Sequence, residues 1–298
     1  MSYHFHTCDV FTDTRFGGNP LAVITNAEGL TTEQMQLIAR EFNYSESAFV
    51  LPAEQGHTNK VRIFTRQIEV PFAGHPNVGT AFVLAATGAF GDFETETTIT
   101  FEEKAGLVPI TIRKVADGKI WCELKAPEPL SLGKTFSAEQ LAAILSLPPS
   151  AIKTETHLPQ HASVGLPFII IELQDRQALE AIAINLGEIR KLAAEGVRPS
   201  IYVYTHSRDE FDIRGRMFAP LGGTFEDPAT GSANCALAGM LAHYHTDSDV
   251  QLNWHIAQGV EMQRPSILDA RAQKQGGVVT GVWIAGLSVM VSQGEIET

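Results

Sequence analysis

Cysteine is scarce in this chain. The three residues, Cys8, Cys122 and Cys235, lie far apart and form no C-x-x-C pair. An odd, scattered set excludes a disulfide framework, and reduced thiols in a cytoplasmic compartment are the expectation. Basic charge is also short: 22 Lys and Arg stand against 34 Asp and Glu, for a formal net charge of −12. With no run of Lys or Arg, such a surface repels a phosphate backbone, so nucleic acid is not an expected partner. No apolar stretch reaches the roughly 18 residues that a membrane-spanning helix needs. The opening Met1-Ser2-Tyr3-His4-Phe5-His6 lacks the basic-then-apolar pattern of a signal peptide. Gly222-Gly223 marks a turn but has no G-x-G-x-x-G context, so no dinucleotide site is expected.

What is present is an ordinary globular composition, 44% hydrophobic and 19% charged, with 25 Gly and 15 Pro. Strands are expected at Val10-Phe11 and 21–24, around the turn Gly17-Gly18-Asn19-Pro20. Thr31 opens a helix with Gln34 at the capping-box position, and Met35, Ile38, Ala39 and Phe42 form its apolar stripe up to Asn43. Further strands are expected at 47–51, 60–65, 97–101, 108–113, 120–124 and 168–173. Helices are expected at 135–147, with Ser137 as cap, and at 177–194. The segment 277–291 reads as a terminal hairpin. His4 and His6, and likewise His243 and His245, are i,i+2 pairs that would point apart on a helix, and no metal site is expected from them.

A weak internal repeat organises the chain. In the first half the strand Arg62-Ile63-Phe64-Thr65 precedes Pro71-Phe72-Ala73-Gly74-His75-Pro76-Asn77 and an apolar helix from Val78 to Ala86. In the second half Arg216-Met217-Phe218-Ala219 precedes Asp227-Pro228-Ala229-Thr230-Gly231-Ser232 and an apolar helix from Ala233 to Ala242. Helices that are apolar all round are buried helices. Each half is therefore expected to be a curved sheet around a central helix entered through a Gly-containing turn, with Pro76 at the first helical position. Ala126-Pro127-Glu128-Pro129 reads as the linker. The N-terminal half is placed at 1–125, completed by a C-terminal strand at 287–298, and the C-terminal half at 126–286.

Two such turns offer free backbone N–H groups and two positive dipole ends, which hold a carboxylate without any lysine. His75 and Asp227 add ionisable groups beside them. Either residue would also serve as a plain helix cap. Glu46, in Ser45-Glu46-Ser47, is an unremarkable carboxylate by spacing; in an apolar cleft its pKa would rise into the range useful for acid/base work. Cys235, several residues inside the second helix, reads as a small core residue.

These residues resemble the PhzF family of phenazine biosynthesis-like proteins. The resemblance runs through Asp9-Val10-Phe11-Thr12, Gly18-Asn19-Pro20-Leu21-Ala22-Val23, Ser45-Glu46-Ser47-Ala48-Phe49-Val50 and Glu69-Val70-Pro71-Phe72-Ala73-Gly74-His75-Pro76. It continues through Glu226-Asp227-Pro228-Ala229-Thr230-Gly231-Ser232-Ala233 and Gln258-Gly259-Val260-Glu261-Met262. It implies an α+β, diaminopimelate-epimerase-like fold of two pseudo-symmetric, mostly antiparallel halves, with an active site between them and a homodimeric assembly. It also implies an isomerase that moves a proton between carbons of a small carboxylated substrate with no cofactor. In that scheme Glu46 is the shuttle and His75 and Asp227 its supporting polar groups. Gly74 and the Thr230-Gly231-Ser232 turn, with Ser232 foremost, would contact the substrate. Related epimerases use a cysteine at each central-helix start; none stands here, which favours a single carboxylate. Arg66, Gln67, Asn234 and Cys235 depart from the family pattern. A one-base epimerase of an amino or hydroxy acid, and a metabolite-binding protein without chemistry, are the rival expectations.

Overall fold

The first strand starts well before Val10: β1 spans Ser2–Val10 and ends because Phe11 adopts a φ of +64°, which extended backbone cannot continue through. The computed structural model describes all 298 residues. They form two compact units, Met1–Pro127 with Ile284–Thr298, and Glu128–Trp283.

The first unit contains β1, β2 (Asn19–Ile24), α1 (Thr32–Phe42), β3 (Glu46–Leu51), β4 (Asn59–Thr65), β5 (Glu69–Val70), α2 (Gly74–Ala86), β6 (Glu96–Glu103), β7 (Gly106–Lys114) and β8 (Ile120–Lys125). β1 pairs antiparallel with β2, β2 parallel with β3, and β3 antiparallel with β4. β4 pairs parallel with β6, while β6–β7 and β7–β8 are antiparallel. The last residues of the chain lie against β1, from Ser2 opposite Glu297 to Val10 opposite Ser288, and the same strand also pairs with β8. The unit's strands therefore close into a ring without a free edge.

α2 packs inside that ring against β1, β2, β3, β7 and β8. Its closest approach to the sheet is at Gly79, where a Cβ would stand 2.6 Å from both Leu21 Cδ2 and Val10 Cγ2. α1 covers the outside, with Met35, Ile38 and Ala39 packed on Ile24, Phe49 and Phe64. Its start is the reciprocal cap expected of Thr31 and Gln34, and Asn43 ends it in the left-handed conformation.

The second unit contains β9 (Ser131–Thr135), α3 (Ala138–Leu145), β10 (Ile152–Lys153), β11 (Gln160–Ser163), β12 (Pro167–Leu173), α4 (Arg176–Glu180), α5 (Leu186–Ala194), β13 (Ile201–His206), β14 (Ile213–Ala219), β15 (Thr224–Asp227), α6 (Gly231–Tyr244), β16 (Val250–Gln258) and β17 (Ser266–Gln275). β12 and β13 are parallel, as are β14 and β16; β9–β11, β11–β12, β13–β14 and β16–β17 are antiparallel. α6 packs against β11, β12, β16 and β17, while α3, α4 and α5 share a separate core with Ile169, Ile171, Ile201, Val203 and Phe218.

Several expected boundaries move. Both buried helices begin earlier than expected, at Gly74 and Gly231, so Pro76 is the third helical residue rather than the first. No hydrogen bond is lost there, since first-turn N–H groups have no intrahelical partner. The helix expected at 135–147 starts only at Ala138, because Thr135 pairs with Gln160 in the sheet and Ser137 caps α3 from just beyond that strand. The helix expected at 177–194 breaks in two. Ala183 N–H and Asn185 N–H donate to the carbonyls of Leu145 and Ile144, and Asn185 then caps α5. The expected terminal hairpin is a single strand, β18 (Val278–Glu297), preceded by Gly276 and Gly277 at positive φ. His4 and His6 lie on a strand, not a helix, and so share a face; His4 stands 3.5 Å from Glu295, but no group of three His, Cys, Asp or Glu side chains forms there.

Candidate active site

On β3 the alternation of side chains decides where Glu46 points. Phe49 packs against α1, so Glu46, Ala48 and Val50 take the opposite face, toward α2. There Glu46 Oε2 lies 3.4 Å from His75 Nδ1, with the His75 side chain 5% exposed and that of Glu46 22% exposed. Burial pushes the imidazole down to about 3, and a hydrogen bond to the Pro20 carbonyl opposes only part of that shift. The ring is therefore neutral at physiological pH, and the contact with Glu46 is a polar one rather than an ion pair. Nε2 is buried with no hydrogen-bond partner. A ring protonated on Nδ1 suits both facts, its one N–H lying between the Pro20 carbonyl and the Glu46 carboxylate and leaving only a lone pair in the dry surroundings.

His75 is the second residue of α2 and Gly74 the first. The cap position is Ala73, whose side chain cannot hydrogen-bond, so no side chain closes the helix start. His75 is thus not the cap that its position next to Pro76 allowed.

In the second unit Asp227 is not a cap either: it ends β15, opposite Met217, and Thr230 is the cap residue of α6. The Thr230 hydroxyl donates to Asp227 Oδ2 instead of capping the helix. Gly231 is buried, while Thr230 and Ser232 are partly exposed. The structure thus joins Glu46 with His75 in one unit and Asp227 with Thr230, next to Gly231 and Ser232, in the other.

Sequence reasoning passed over several residues around these groups. Asn77 Nδ2 donates to Ala73 O at 3.1 Å, and Asn234 Nδ2 donates to Thr230 O at 3.0 Å. Each Asn stands three residues after the first helical glycine, a match the internal repeat already contained. Gln258, fully buried, bonds to Asp227, Thr230 and Asn234, and Tyr202 OH donates to Asn234 Oδ1 at 2.6 Å. Glu103 ends β6 with both carboxyl oxygens buried; burial pushes it up to about 8, opposed in part by the nearby Asn77 amide. Elsewhere in the second unit, Glu172 accepts from Lys153 at 2.7 Å and from Tyr204 at 3.2 Å, and Tyr204 also meets His157 at 2.8 Å.

An uncharacterized isomerase of Mesorhizobium japonicum is 38% identical over 97% of this chain and 96% of that protein. The trans-2,3-dihydro-3-hydroxyanthranilate isomerase of Pseudomonas aeruginosa is 35% identical over 98% of each. A crystal structure of a Bacillus anthracis phenazine biosynthesis protein of the PhzF family superposes with a TM-score of 0.90 at 27% identity, covering all of both chains. The expected mixed α+β fold is thereby established. The family model for phenazine biosynthesis-like proteins, PhzC-PhzF, matches residues 8–294, and the chain belongs to that family of isomerases.

Proposed function

We propose that this isomerase moves a proton between two carbons of a small carboxylated substrate, with Glu46 as the proton carrier and no cofactor. The observation that carries the reading is the contact between the partly exposed Glu46 carboxylate and the buried, neutral His75 ring. A neutral N–H steadies the carboxylate without holding it as tightly as a cation would, so Glu46 stays basic enough to take a proton from carbon.

In the forward step the Glu46 carboxylate accepts a proton from an sp³ carbon. The electron pair left behind spreads into the substrate's conjugated system. Glu46, now a carboxylic acid, returns the proton to a second carbon of that system and is a carboxylate again. Protons and electrons balance within the substrate. Asp227 and the Gly74 and Thr230–Ser232 backbone belong to the same proposal as polar and carboxylate-holding groups. Its support is that neither helix start is closed by a cap side chain. The substrate class is a cyclic, conjugated carboxylate of the kind that the named Pseudomonas aeruginosa relative isomerises. A cytoplasmic homodimer is the accompanying expectation, tested by sedimentation and cell fractionation.

The test is incubation in deuterium oxide with trans-2,3-dihydro-3-hydroxyanthranilate and a panel of cyclic and amino-acid carboxylates, followed by mass spectrometry and NMR. Deuterium enters at carbon in at least one substrate, and EDTA leaves the rate unchanged. If a substrate turns over and Glu46→Gln keeps the full rate, the mechanism is wrong. Inversion of a stereocentre without bond migration would instead favour the epimerase reading, and binding with no exchange would favour a metabolite-binding protein.

A further inference from the structure

The loop between β15 and α6 is held by one side chain from 28 residues away. The Gln258 amide makes four hydrogen bonds. Nε2 donates to the Asp227 carbonyl at 2.8 Å and to Thr230 Oγ1 at 3.1 Å. Oε1 accepts from Thr230 N–H at 3.2 Å and from Asn234 Nδ2 at 2.9 Å. Two donors and two acceptor lone pairs are the amide's whole capacity, so it is saturated. Its orientation is settled by backbone groups that cannot change roles: a flipped amide would set N–H₂ against Thr230 N–H and oxygen against the Asp227 carbonyl.

Hydrogen bonds fix the neighbours of Gln258 in both directions. Tyr202, fully buried, donates to Asn234 Oδ1, which turns the Asn234 N–H₂ toward Thr230 O and Gln258 Oε1. In the other direction Thr230 Oγ1 already accepts a hydrogen from Gln258, so its own hydrogen is free for Asp227 Oδ2, where the structure places it. Gly259 permits this closeness. At φ +73°, any Cβ there would lie 2.5 Å from Pro228 O and 2.6 Å from Arg264 O.

We propose that Gln258 is a positioning residue that aims the Thr230 hydroxyl at Asp227 and so keeps Asp227 in its hydrogen-bond-accepting, ionised form. The chain Tyr202–Asn234–Gln258–Thr230–Asp227 is directional, each member donating to or fixing the next. A carboxylate that accepts an aimed O–H is favoured over the protonated acid. This deepens the proposed function, since it rests on Asp227 working as a polar group toward the substrate.

The test tracks the Asp227 carboxyl carbon by carbon-13 NMR as pH is lowered, in the full-length protein and in Gln258→Met, Thr230→Val and their double variant. The titration midpoint of Asp227 moves to higher pH in each single variant, and the double variant adds nothing to the larger single effect. Where a substrate has been found, the acid limb of the kcat profile moves the same way. Tyr202→Phe keeps the shape and removes only the far hydroxyl; it serves if Gln258→Met does not fold, and it produces a smaller move in the same direction. A purely structural role would lower the melting temperature and leave the titration where it was, and that result overturns the proposal. The NMR arm needs no substrate. Failure of the isomerase reading would appear as no deuterium exchange by the wild-type protein, whatever the titration shows.

Discussion

Glu46 Oε2 and His75 Nδ1 stand 3.4 Å apart, the first on a strand and the second in the opening turn of a buried helix. Neither residue stands out by itself. Together they place a carboxylate beside a neutral imidazole, the contact on which the proposed proton transfer rests.

Replacing Glu46 by Gln keeps the size of the side chain and removes the base. The expected loss in exchange rate is at least about a hundredfold, the lower end of what a positioned acid/base group supplies. Because Glu46 is partly exposed and the His75 ring beside it is neutral, the urea midpoint should stay near that of wild type. Parallel deuterium-exchange and unfolding measurements check both halves.

His75 gives the protein an acid-sensitive side. Its imidazole titrates near 6.5 when unfolded but is pushed down to about 3 when folded, so the unfolded chain binds the proton more readily. The stability linked to His75 is present above pH 6.5 and is lost as the pH falls toward 3. In His75→Gln the acid dependence of the urea midpoint becomes shallower by about one proton over that window.

Glu103 works in the opposite direction. With its carboxyl raised from 4.5 to about 8 by burial, the folded state holds a proton that the unfolded state releases. Its contribution is fully present below pH 4.5 and lost as the pH climbs through about 8. Glu103→Gln, a neutral mimic of the protonated acid, should flatten that decline and exceed wild type in thermal stability at alkaline pH. A melting series across pH decides it.

Lys153 is the main partner of the almost completely buried Glu172, at 2.7 Å. Lys153→Met leaves that carboxylate with the Tyr204 hydroxyl and a distant His206 nitrogen at 3.9 Å. Removing one partner of such a pair costs on the order of 3 kcal/mol. Chemical denaturation should show that loss, and Lys153→Met combined with Glu172→Met should recover part of it.

Much of the architecture was legible because it is written in local chemistry. The Thr31 and Gln34 cap, the turn at Asn43 and the two charge-poor, small-residue helices are set by residues within a few positions of one another. Two of the departures share one cause. Thr135 was captured by Gln160 in the sheet, and the helix expected from Gln177 was interrupted where Ala183 and Asn185 bond to the end of α3. In both places a partner distant in sequence outcompeted local propensity.

The site divides in the same way. By itself the sequence determined the helix starts at Gly74 and Gly231 to within a few residues, the missing cysteine pair, and Glu46 and Asp227 as the carboxylates in matching family blocks. Only the tertiary structure decided what those groups face. Glu46 meets His75 because Phe49 must pack on α1, which sends the alternate side chains of β3 the other way. Asp227 receives the Thr230 hydroxyl because Gln258, from the end of β16, holds that loop. Residue type and spacing name the candidates; which hydrogen bonds they make depends on backbone brought together across long stretches of chain, and no local pattern carries that information.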